Sequence, residues 1–162
     1  MAILAFSMLG VVAAIEIVLS LRWNAAYYTT GVPVLVSGIE STRPLDQIAL
    51  DDLAASSRTA TGAPLAFRRL APNVIAFRES AYQYLPLMRG VIRRKEGQAQ
   101  ISVEGLANWY ALLFVVVLIA VLRRTITVVL PYLGFGYALL YFIQAVRYLR
   151  VAKFIRKTFG QQ

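Results

Sequence analysis

The chain has 162 residues, 59% of them hydrophobic and 15% charged, with a mean hydropathy of +0.62 and a net charge of +9. That balance lies far from the average of a water-soluble domain. Neither cysteine nor histidine is present, which excludes disulfides, thiolate chemistry, imidazole bases and the usual ligands of zinc, iron and copper.

Three apolar runs, residues 3–21, 106–122 and 126–146, contain a single charge, Glu16. A crossing helix needs roughly 20 predominantly apolar residues. The expected fold is therefore membrane α+β, with three transmembrane helices and a small β-rich domain between the first two. The divisions are 1–22 (first span), 23–105 (basic α+β domain), 106–122 (second span), 123–146 (third span) and 147–162 (basic amphipathic tail).

In the first span Glu16 is the sharpest feature, because an acid within a span is costly and marks a functional or packing site. At helical spacing Leu9, Ala13, Glu16 and Ser20 share a face, which is expected to meet protein. Gly10 and Ala14 form a small-xxx-small pair suited to close helix approach.

The middle segment switches to short alternating runs. Residues 32–39 read as a strand between glycines. Residues 44–56 read as one short amphipathic helix, with Ser41-Thr42 as its cap candidates, and 56–62 as a loop. Two strands follow at 65–70 and 73–78, carrying the echo Ala66-Phe67-Arg68 and Ala76-Phe77-Arg78. A hairpin is expected over 87–95 and 99–104, turning at Glu96-Gly97. The domain thus has four to five strands and one helix. Its cations Arg89, Arg93, Arg94 and Lys95 are expected to meet anionic phospholipid headgroups or a partner. Nucleic acid is not expected, since no recognised motif accompanies them.

In the third span Tyr137, Tyr141 and Gln144 line one face, a polar seam within reach of Glu16 if the first and third helices touch. In the tail, Tyr148, Val151, Ala152, Ile155 and Phe159 gather opposite Arg150, Lys153 and Lys157, the pattern of an interfacial helix. With Arg147, these cations supply further headgroup or partner contacts. The basic tail outweighs the Arg123-Arg124 connection, so the positive-inside rule places the N-terminus outside and the middle domain and C-terminus in the cytoplasm. Trp23, Trp109, Tyr110 and Tyr148 serve as interface anchors on that side.

No phosphate loop, nucleophile elbow or paired carboxylate site is present. The expectation is a non-enzymatic accessory subunit of the bacterial inner membrane, without a cofactor or metal. It would pack with other membrane protein subunits and contact anionic lipid, and homo-oligomerisation stays open. The alternatives are a homo-oligomeric transporter or channel subunit using Glu16, or a membrane-tethered lipid or signal sensor.

Overall fold

The structure, a computed structural model, describes residues 2–41, 44–61, 64–80, 88–94, 99–121 and 126–160. Lys95, the Glu96-Gly97 turn and the Arg123-Arg124 connection lie outside the described residues. Helices α1 (Ala2–Leu21) and α2 (Ala25–Thr29) lead to strand β1 (Pro33–Glu40). A 3₁₀ turn (Leu45–Gln47) and α3 (Leu50–Thr61) follow, then β2 (Leu65–Ala71), β3 (Val74–Glu79), β4 (Arg89–Arg94) and β5 (Gln100–Leu106). The chain ends in α4 (Trp109–Val121) and α5 (Ile126–Phe159).

The five strands form one antiparallel sheet in the order β1-β5-β4-β3-β2. Strands β2 to β5 are a meander of neighbours, and β1 returns from the far end of the sequence to pair with β5, setting Ile39 opposite Ile101. The echo is explained by the β2–β3 hairpin: Phe67 and Phe77 stand directly opposite each other, their ring centroids 6.2 Å apart. Aromatic cross-strand pairs of this kind stabilise a sheet face.

That face carries Leu65, Ile75, Phe77, Ile92, Ile101 and Val103, and it is closed by Leu53 of α3 and by Val151, Ile155 and Phe159 of α5. Burying each such side chain contributes roughly 1.5–3 kcal/mol. The apolar stripe read as an interfacial tail is therefore the lid of the core: α5 is one helix of 34 residues, and its second half lies on the sheet. On the opposite face a smaller cluster joins Tyr27, Tyr28 and Ala76 with Leu19, Trp23 and Leu70.

Residues 56–61, expected as loop, belong to α3. Ser56, Ser57 and Thr61 turn their hydroxyls back to the carbonyls of Asp52, Ala54 and Ser57, and Ser57 also accepts the Leu65 amide at 3.0 Å. These bonds satisfy a polar composition inside a helix.

The three-span reading is overturned. Among the described residues no helix is long and apolar enough to cross a membrane, and the multi-pass inner-membrane topology, with its outside N-terminus and cytoplasmic domain, falls with it. Helix α4 has 13 residues, about 20 Å against a hydrocarbon thickness of about 30 Å. Helix α1 buries Glu16 and Ser20 in its last two turns, and α5 turns polar from Gln144 and Arg147 onward. The observed architecture is α+β, a five-stranded antiparallel sheet with α3 and the second half of α5 packed on one face and the remaining helices joined at one end.

Candidate functional site

That end of the sheet, where β1 begins, β3 and β5 finish and β4 starts, gathers most of the buried polar groups. The chain reaches it through an unusual turn. Helix α1 ends with Trp23 N–H donating to Ser20 O at 3.2 Å and Asn24 N–H donating to Leu19 O at 3.0 Å. Trp23 occupies the left-handed region at φ +54°. This is a Schellman closure with tryptophan at the position usually held by glycine, at a cost of about 1 kcal/mol or more. Trp23 is held there by stacking on Tyr28 at 5.3 Å, and the Arg78 guanidinium lies 4.9 Å from its ring centroid. Asn24 then caps α2, its side-chain oxygen accepting the Tyr27 amide at 3.0 Å.

The turn brings Tyr27 beneath Glu16. The Glu16 carboxylate, 3% exposed, accepts the Tyr27 hydroxyl at 2.9 Å and the backbone amides of Trp109 and Tyr110 at 2.8 and 2.9 Å. Those amides are the first two of α4. A carboxylate of one helix thus caps the N-terminus of its neighbour, where unpaired N–H groups and the helix dipole favour negative charge. The face of α1 carrying Leu9, Ala13, Glu16 and Ser20 is the one turned inward, and α1 packs along α4.

Arg89 completes the arrangement. Its side chain is 1% exposed; it donates to the Tyr27 carbonyl and, at 2.7 Å, to that of Ala107. Its guanidinium lies 3.8 Å from the Tyr27 ring centroid, a cation–π contact. Burial holds the Tyr27 hydroxyl well above the ordinary phenol value; Arg89 acts against this and the Glu16 carboxylate adds to it. Tyr27 is therefore a fixed proton donor to Glu16. Burial also raises Tyr148, opposed by its hydrogen bond with the Arg89 backbone. The Tyr148 hydroxyl accepts from Arg89 N–H at 3.2 Å and faces the carbonyls of Arg89 and Leu106 at 2.7 and 2.8 Å. Its ring fits because Gly105 has no side chain: a Cβ there would overlap the ring. A partly buried ion pair, Arg147 with the buried Glu79, ties α5 to the end of β3.

The residues singled out in sequence thus separate into groups. Trp23, Trp109, Tyr110 and Tyr148 lie on separate elements: Trp23 stacks on Tyr28, Trp109 and Tyr110 begin α4 on Glu16, and Tyr148 is buried against Arg89 while Trp109 is 44% exposed. Glu16 is not joined to Tyr137, Tyr141 or Gln144. Those three remain on α5, with the Tyr137 and Tyr141 rings 5.0 Å apart and Gln144 buried. Four of the supposed headgroup cations are spent within the fold. Arg89 and Arg147 are bound as described; Arg93 bonds the Thr29 carbonyl at 2.9 Å and lies 3.7 Å from Glu104; Arg94 bonds the Ser41 carbonyl at 2.8 Å. Arg150, Lys153 and Lys157 are exposed.

Tyr27 was missed in sequence, although Asn24 just ahead of a short Ala-Ala-Tyr-Tyr run is a helix-start signal. Among the described residues no group of acids could hold a metal ion. The depression between α3 and the end of α5, lined by Ile48, Asp52, Leu53, Ser56 and Thr158, offers one acid and hydroxyls already engaged with backbone carbonyls. No family model, no curated protein and no solved structure matches this chain. The chemistry of the junction is that of a lock: every lone pair of Glu16 in use serves to hold α1, α2 and α4 on the sheet.

Proposed function

We propose that this chain acts by attachment and not by catalysis, as an accessory subunit whose apolar helices are covered by partner subunits in a larger assembly. One observation carries the reading. Beyond the polar junction, Met8, Val11, Ile15 and Val18 of α1 and Phe114, Val116 and Ile119 of α4 are exposed, between 39% and 64%. Neighbouring exposed apolar side chains of this extent mark an interaction surface. The Glu16 cap supports the same reading, since it holds the α1–α4 pair in one arrangement before any partner arrives, and a preformed surface loses less entropy on binding.

The test is extraction of the tagged chain in mild detergent from its native source, followed by native mass measurement. The expected result is a complex with other subunits in fixed ratio, and loss of those subunits when Val11 and Ile15 are both changed to Gln. A monodisperse monomer of 18.0 kDa would overturn the proposal, as would an unchanged complex in the double variant.

A further inference from the structure

Helix α5 carries a second surface, distinct from the α1–α4 flank. Counting at three- and four-residue steps from Tyr132 gives Phe135, Leu139, Ile143 and Val146, and the same line continues through Arg150, Lys153 and Lys157. The first four are exposed, Tyr132 and Phe135 at 77% and 72% and Leu139 and Ile143 at 48% and 47%. All three cations are exposed as well, on the side of the helix opposite the core-facing Val151, Ile155 and Phe159. One continuous stripe thus changes from apolar to cationic within two turns, at the level where Arg147 and Tyr148 anchor the helix to the sheet.

No acid occurs anywhere in the 34 residues of α5, so nothing on the helix itself neutralises the cationic half. The apolar half runs about 17 Å and the cationic half about 10 Å at the helical rise. We propose that this stripe binds an anionic phospholipid surface, the apolar half against acyl chains and Arg150, Lys153 and Lys157 among the headgroup phosphates. Charge complementarity selects this occupant: a cationic band adjoining an apolar band matches the order of charge and hydrocarbon at a phospholipid surface.

The proposal is tested with the full-length chain, transferred from mild detergent to vesicles of phosphatidylcholine alone or of phosphatidylcholine with 30% phosphatidylglycerol, and separated by flotation. Each cation near an anionic surface contributes about fivefold to partition, so three give a preference on the order of a hundredfold. The expected result is that preference at low salt, its decline at high salt through screening, and its loss in R150E/K153E/K157E. A thermal melt equal to wild type checks that the variant is folded, as exposed positions predict. Equal partition of the wild type into both vesicles, or a triple variant that keeps the preference, would overturn the proposal. If the triple variant keeps its lipid preference but loses co-purifying subunits, the stripe is a protein-docking surface and the lipid assignment fails, while the accessory-subunit reading survives.

Discussion

Replacing Glu16 by Gln probes the junction with the smallest change of shape. The wild-type carboxylate takes three donors: Oε1 accepts from Tyr27 and Trp109, and Oε2 accepts from Tyr110. A glutamine keeps one acceptor and turns an NH₂ group toward whatever faces the other position. In the cheaper orientation it keeps Tyr27 and Trp109, and the Tyr110 amide loses its partner. An unmade buried hydrogen bond costs about 1–3 kcal/mol. Removing the charge from the α4 N-terminus costs a further 0.3–1 kcal/mol or so. The total is about 1.3–4 kcal/mol, which for a chain of this size lowers the melting temperature by roughly 3–16 °C. Both tryptophans of the chain, Trp23 and Trp109, sit at this junction, so their fluorescence during thermal unfolding in mild detergent reports on it directly. Glu40→Gln, at an exposed position at the end of β1, is the control, with an expected effect within about 0.5 kcal/mol. A Glu16→Gln shift no larger than the control's would refute the capping argument.

Two other substitutions test neighbouring parts of the same reasoning. Arg89→Lys should lower stability by about 2–4 kcal/mol in a denaturant titration, because an ammonium replaces neither the two-carbonyl fork nor the planar stack on Tyr27; a midpoint unchanged from wild type would contradict that. Gly105→Ala forces the pinned Tyr148 ring away from β5 and should cost about 1–3 kcal/mol, whereas Gly10→Ala, with open space around it, should gain about 0.5–1 kcal/mol on the same assay.

Much of the sheet was legible in the chain, and the reason is local. Strand periodicity of two depends on neighbours in sequence, so residues 65–70 and 73–78 read as two strands, and the structure pairs them as a hairpin with Phe67 opposite Phe77. The destinations of the arginines were not legible. Arg89, Arg93 and Arg94 end on the carbonyls of Ala107, Thr29 and Ser41, and which carbonyls are left over for a side chain depends on where strands stop, information that no residue pattern near an arginine carries. The same holds for Glu16. Two of its three partners are backbone amides brought to it by the end of β5 and the third is the Tyr27 hydroxyl of a five-residue helix, none of them on the third apolar run. The apolar runs were visible, but a window of hydropathy averages over side chains and does not report that the stretch after residue 146 continues the same helix onto the sheet.

The position of β1 at the outside of β5 has a consequence for how the chain folds as it is synthesised. Strands β2 to β5 pair with neighbours and can assemble as they emerge, whereas β1, made first, waits until β5 exists. Closure of the core waits longer still, for Val151, Ile155 and Phe159 of α5. Non-local pairing of this kind slows folding and lengthens exposure of unpaired edges. A nascent chain halted after β5 therefore has α3 but not α5 to cover the face of Ile75, Ile92 and Ile101, and part of that face stays open to its surroundings until α5 is made.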